Sequence, residues 1–168
     1  MIATIGAVVT LAKLSVNAWL VLLVLILGVA FTALAIVNRA RDGVESRMRE
    51  FGRDFMALEP RRIKSALFLL GKAGRQDDVD PVLDFFEDLG YALKNGAITI
   101  ESAYQDFDSW VEPYWLSCCH YILKVQEDDP ETWCNIFPLY QAMRKRDGGD
   151  PWTDDDVRVA LEGDANLQ

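Results

Sequence analysis

Residues 19–37 read WLVLLVLILGVAFTALAIV, and this stretch decides the architecture of the chain. It lies within a longer run, residues 14–38, that contains no charged side chain and is closed by Arg39 and Arg41. At ~1.5 Å per residue, about 23 apolar residues of helix reach roughly 35 Å, enough to cross a hydrocarbon core of about 30 Å. We therefore predict a transmembrane helix over residues 14–38.

The basic residues around this span predict its orientation. Lys13 and the amino terminus precede the span, whereas five arginines follow it within residues 39–53. Because Lys and Arg near a span favour the cytoplasmic side, we expect residues 1–13 to be a short extracytoplasmic segment and the body to be cytoplasmic. A cleaved signal peptide is the alternative, but the apolar run is too long and the segment before it too weakly basic.

The charges of the remaining chain are divided between a basic collar and an acidic body. Between residues 39 and 75, ten basic side chains stand against five acidic ones, a net charge of +5; from residue 76 onwards, six stand against 21, a net charge of −15. The collar is attracted to anionic headgroups, while the body is repelled by them and by nucleic acid. We predict no nucleic-acid binding, and headgroup contact through six basic side chains: Arg39, Arg41, Arg47, Arg61, Arg62 and Lys64.

A short heptad pattern follows the span. Its apolar residues are spaced four and three apart: Val44, Met48, Phe51, Phe55 and Leu58. Two heptads are too few for a coiled coil, so we interpret residues 39–58 as a juxtamembrane stalk that packs on its own domain. Self-association through the stalk is the alternative.

Helix signals recur through the body, which predicts an all-α bundle of about five helices. Glu59-Pro60 opens a helix that runs towards Gly74, Asp80-Pro81 opens one that ends at Asn95-Gly96, and Thr99 caps the next. A capping box at residues 109–112 predicts a further start, Asp129-Pro130 another, and Thr153 with Asp156 a last short helix. We assign residues 59–147 to the domain and 148–168 to an acidic tail containing that last helix.

The cysteines and the single histidine favour neither a disulfide framework nor a metal site. Three cysteines do not pair evenly, as expected in a reducing compartment. Cys118, Cys119 and His120 are consecutive, so on a helix they point about 100° apart and do not converge on one ion. We predict no metal, no cofactor and no catalytic residue that the sequence can name.

One cluster remains a candidate for function or for core structure. It combines an acidic side chain with aromatic residues and the histidine: Phe85, Phe86, Glu87, Tyr114, Trp115 and His120. Glu87 follows two phenylalanines, so it is the carboxylate most readily drawn inward, towards Tyr114, Trp115 or an arginine.

Residues 81–98, PVLDFFEDLGYALKNGAI, and residues 104–121 with Pro113, Tyr114 and Trp115 resemble an uncharacterised bacterial family known only as a domain of unknown function. Asp129, Pro130 and Trp133 fit the same pattern. The resemblance covers roughly residues 61–146 and implies a bacterial single-span membrane protein with a helical cytoplasmic body. With the body in the cytoplasm, we expect the span to lie in the inner membrane. It implies no activity.

Three functions are compatible with these features. The favoured one is a membrane-anchored, non-enzymatic module that binds a protein partner or self-associates. The second is a sensor or effector that holds a small ligand among its aromatic residues, in stress or phage defence. The third is an enzyme that uses a buried Glu87 with His120.

Overall fold

The computed structural model describes residues 2–166, with side chains from residue 18 onwards. Side chains of the predicted extracytoplasmic segment 1–13, and the last two residues of the predicted tail, lie outside the described residues. The chain forms two compact units, Met1–Gly43 and Val44–Gln168. All regular elements in the described part are helical, which confirms the predicted all-α class.

The apolar run belongs to a single long helix. Helix α1 extends over Ile2–Ala57 and therefore includes both the predicted span and the predicted stalk. The large apolar side chains of residues 19–37 are 47–75% exposed, and the hydroxyl of Thr32 donates to the carbonyl of Gly28 at 2.8 Å. By length and composition, this helix can cross a membrane.

Five further helices and one 3₁₀ turn follow. They are α2 (Glu59–Leu69), the 3₁₀ turn (Gln76–Asp78), α3 (Asp80–Lys94), α4 (Ile100–Gln126), α5 (Ile136–Asp147) and α6 (Asp154–Ala165). Helix α6 packs on α2 and α4, while α5 packs on α3 and α4. The predicted bundle is therefore present, and α6 is one of its members.

The predicted helix start at residues 109–112 is wrong, because α4 is continuous from Ile100 to Gln126. Its buried stripe crosses that region without a break, through Phe107, Val111, Tyr114 and Cys118. Glu112, which would close the capping box, instead points its carboxylate at Arg144 of α5, 3.5 Å away. Packing along the whole stripe outweighs the local start signal and the lost hydrogen bond at Pro113.

The start of α5 was also predicted too early, since the helix begins at Ile136 and not at Asp129-Pro130. The Asp129 carboxylate accepts hydrogen bonds from the Thr132 hydroxyl at 2.7 Å and the Glu131 amide at 3.3 Å, which holds a turn. Trp133 then adopts a left-handed backbone, with φ of 53°. Its indole is buried and donates to Asp84 at 2.9 Å, so tertiary contacts stabilise a conformation that ends any helix there.

Helix α2 ends at Leu69, earlier than predicted, because Gly71 with φ of 67° terminates it. The Lys72 amide bonds back to the Leu67 carbonyl at 2.9 Å, as in a Schellman motif. The predicted end of α3 at Asn95-Gly96 is confirmed, with Gly96 at φ of 69°.

The stalk packs on its own domain. Met48, Phe51 and Phe55 are buried in the core, which confirms the favoured interpretation of the heptad. Phe55 is the centre of an aromatic cluster, with ring centroids 4.9 Å from Phe85 and 5.2 Å from Phe107. An oligomer built on these stalk side chains would have to remove them from the core.

Among the helical glycines whose surroundings the structure describes, Gly90 of α3 should be the least replaceable. A Cβ at this position would overlap the backbone carbonyl of Asn135, just before α5. We expect Gly90→Ala to reduce the free energy of unfolding by about 1–3 kcal/mol, because α3 and the start of α5 must separate. Gly163→Ala in α6 is the matched control: its Cβ meets open space, so it should add roughly 0.5–1 kcal/mol. Urea unfolding of the full chain in detergent micelles, followed by circular dichroism, measures both. Equal stability of the two variants would contradict the close packing.

Candidate functional site

Three residues of the predicted cluster belong to the core. Phe85, Phe86 and Tyr114 are buried, and the ring centroids of Phe86 and Tyr114 lie 5.6 Å apart. Phe85 and Phe86 also contact each other, at 5.6 Å between centroids. These aromatic side chains connect α3 with α4 and with the stalk.

Glu87 lies at a different place, where it holds the start of α5. Its Oε2 accepts the backbone amide of Asn135 at 2.7 Å, and its Oε1 accepts the Asn135 side-chain amide at 2.5 Å. Asn135 is the residue before the first turn of α5. The partial positive charge at the N-terminus of that helix therefore also stabilises the Glu87 carboxylate. Glu87 is half-buried, and the structure gives it a structural role in joining α3 to α5.

His120 and Trp115 are not brought to Glu87 by any hydrogen bond that the described residues make. His120 is exposed, and its Nδ1 lies 3.6 Å from the sulfur of the neighbouring Cys119. Trp115 faces α5, where its ring stacks on Phe137 at 5.0 Å and on Tyr140 at 5.8 Å. The predicted set is thus divided into a buried aromatic group, a helix-capping carboxylate, an exposed histidine and an aromatic stack.

The cysteines differ in environment. Cys118 is buried, whereas Cys134 is exposed. Burial raises the pKa of the Cys118 thiol to about 12. All three cysteines are free. Among the described side chains, no three His, Cys, Asp or Glu residues are grouped so that they could hold a metal ion.

The prediction of headgroup contact is wrong for Arg62, which is buried inside the domain. The other collar residues are exposed, but Arg47 pairs with Glu50 at 2.6 Å and Arg61 with Asp78 at 3.3 Å. Within the described residues, Arg39, Arg41 and Lys64 form no ion pair.

Arg62 forms a buried ion pair that the sequence did not predict. Its Nη2 lies 3.4 Å from Oδ1 of Asp164, and the two side chains are 3% and 1% exposed. The Tyr114 hydroxyl donates to Oδ2 of Asp164 at 2.9 Å. The Arg62 guanidinium lies over the Phe55 ring, 4.0 Å from its centroid, and 5.5 Å from that of Trp110. We call Arg62, Asp164 and Tyr114 the ionic cluster; it connects α2, α4 and α6.

The ionic cluster is only partly satisfied by hydrogen bonds. Within the described residues, Arg62 Nε, Asp164 Oδ1 and the nearby Ser65 Oγ are buried without a hydrogen-bond partner. Burial raises the pKa of the Asp164 carboxyl although Arg62 opposes this shift, and burial together with the Asp164 charge raises the pKa of Tyr114. Such a pair gives little net stability, but each charge depends strongly on the other.

A second, less buried pair links α4 to the end of α5. Glu112 Oε2 lies 3.5 Å from Arg144 Nη1, which also contacts Asp147 at 3.2 Å. Burial raises the pKa of Glu112 despite the arginine. Tyr104 donates to Asp147 at 2.8 Å, so one carboxylate joins both helices.

The body also exposes an apolar groove between α4 and α5. We call it the α4–α5 groove; its volume is about 350 Å³, and its apolar lining includes Trp115, Leu123, Phe137 and Pro138. Leu123 is 57% exposed and Phe137 43% exposed. Unlike the aromatic core, these side chains are exposed to solvent.

The ionic cluster yields a prediction about stability. Asp164→Leu should reduce the free energy of unfolding by about 3–5 kcal/mol, because Arg62 remains as an unpaired buried charge. The double variant Arg62→Met with Asp164→Leu should recover most of that loss, since no charge is left in the cluster. Urea unfolding of the full chain in micelles measures the free energy of unfolding of the wild-type chain and of both variants. A double variant as unstable as Asp164→Leu alone would show that the two charges do not depend on each other.

Comparison with known proteins gives no match for this chain among family models, curated proteins or solved structures. Its function is therefore inferred from its own residues.

Proposed function

We propose that this chain is a membrane-anchored helical module whose cytoplasmic body binds a protein partner. The observation that carries the proposal is the exposed α4–α5 groove on a body joined to a helix long and apolar enough to span a bilayer. The groove leaves aromatic and aliphatic side chains in water, and exposed apolar patches of this kind are typical of interaction sites.

The proposed orientation places the amino terminus outside and the body in the cytoplasm of a bacterium. Five arginines within residues 39–53 support it, because basic residues are retained on the cytoplasmic side. Three free cysteines also agree with a reducing compartment. The bacterial inner membrane is proposed on the resemblance expected for residues 61–146 alone, since no family model matches the chain.

Binding is favoured over catalysis by what the candidate catalytic groups do. Of the two, Glu87 and His120, Glu87 uses its carboxylate to hold Asn135, which leaves its oxygens less available to a substrate. His120 is exposed, and within the described residues it makes no hydrogen bond to Glu87. By contrast, packing of the bundle does not require the groove side chains Leu123 and Phe137 to be exposed to solvent.

Thiol labelling tests the orientation. Cys134 is exposed, so a membrane-impermeant maleimide should label it in inverted membrane vesicles and leave it unlabelled in intact spheroplasts. The reference is Ala3→Cys in a Cys134→Ser background, which should show the opposite accessibility. Labelling of Cys134 from outside intact spheroplasts would contradict the proposed orientation.

Crosslinking in native membranes tests partner binding. Treatment with an amine-reactive crosslinker should convert the full chain into a discrete larger species that contains a second protein. The same treatment after detergent dilution provides the control for random collision. A chain that remains strictly monomeric and co-purifies with nothing would contradict the proposed function.

A further inference from the structure

The α4–α5 groove has features of a site for one kind of partner. Its floor and walls are apolar, with Trp115 stacked on Phe137 and the open side chain of Leu123 beside them. The polar side chains in its lining are Gln126 and Cys134. Gln126 donates its side-chain amide to the Thr132 carbonyl at 2.9 Å, so it is already engaged in holding the loop.

The rim of the groove is strongly acidic on one side. Gln126 and Pro130 line the groove, and the loop that contains Pro130 carries four exposed carboxylates: Glu127, Asp128, Asp129 and Glu131. Over residues 124–131, these four acids stand against one base, Lys124, a net charge of −3. The loop is held in position by the turn at Asp129 and by Trp133, which is anchored to Asp84.

The groove therefore combines an apolar surface with neighbouring exposed carboxylates. This combination favours a ligand with large apolar side chains on one face and Lys or Arg on the other. An amphipathic helix has this arrangement, with anchors at i, i+3, i+4 and i+7. The same carboxylates disfavour an anionic lipid surface and an acidic protein segment.

We infer that the α4–α5 groove binds a cationic amphipathic helix of a partner protein, with its apolar side chains against Trp115, Leu123 and Phe137 and its basic side chains on the 127–131 loop. This inference rests on the proposed function, because it names the surface and the class of partner that the anchored body takes. The acidic charge of the body has a specific role here: it selects a basic segment and increases the rate of association.

The test uses the full chain in nanodiscs of zwitterionic phosphatidylcholine and three synthetic peptides. The probe peptide is a helix former with Leu on one face, Lys on the other and one photoreactive benzophenone side chain among the leucines. One control peptide has Glu in place of Lys, and the other has Ser in place of Leu. The probe should crosslink to residues that line the groove and bind at least about tenfold more tightly than either control.

Matched variants identify the groove as the binding surface. Leu123→Ser with Phe137→Ser should weaken probe binding by about tenfold or more, because apolar anchors carry most of the affinity. Val159→Ser removes an equally exposed apolar side chain from α6 and should leave the affinity unchanged. Glu127→Gln with Asp128→Asn should weaken binding severalfold and reduce its dependence on salt; these side chains are exposed, so this variant tests the inference even if the first one unfolds.

Three results would overturn the inference. They are equal binding of the Glu and Lys peptides, crosslinks outside the groove, and a probe affinity that neither the Leu123→Ser, Phe137→Ser variant nor the Glu127→Gln, Asp128→Asn variant changes. Each is distinct from failure of the proposed function, which membrane crosslinking of the wild-type chain measures separately. A discrete partner complex that persists in the Leu123→Ser and Phe137→Ser variant would retain the proposed function and reject the groove.

Discussion

The buried pairing of Arg62 with Asp164 constrains how the helices of the bundle dock. Neither charge can remain in this interior without the other, since an unpaired buried ion costs several kcal/mol. Asp164 belongs to the last helix, so α6 must dock before Arg62 is compensated. Phe55 and Trp110 cover the guanidinium, and Tyr114 donates to the carboxylate. The stalk, α2, α4 and α6 are therefore interdependent, although the pair itself adds little net stability.

Some side chains of the bundle are used in packing, while others stay exposed to solvent. The aromatic side chains around Phe55 and the carboxylate of Glu87 are engaged inside the bundle or between its helices. Trp115 and Phe137 form a stack that is partly open to solvent, beside a loop rich in carboxylates. The surface thus offers hydrophobic contact and negative charge at one place, which is the physical basis of the proposed partner class.

Local signals predicted the helix starts well where no tertiary contact competed. Pro81 with Asp80 and the Thr153 cap mark real starts, because their hydrogen-bonding patterns are local. The start signals at residues 109–112 and 129–130 failed for a different reason. The buried stripe of α4 carries the helix through the first, while Glu87 and the buried Trp133 hold residues before Ile136 in turns. Neither contact can be read from neighbouring residues, since the partners are distant in the chain.

The sequence by itself determined the apolar span-length helix, the all-α class and the division of charge, because length, periodicity and composition are local or additive properties. Only the tertiary structure decided which side chains of the candidate cluster meet. It placed Phe86 and Tyr114 in the core, Glu87 at the start of α5, and Arg62 inside the domain instead of at headgroups. These outcomes depend on desolvation and on contacts between residues about 30 to 100 positions apart, which no local pattern encodes.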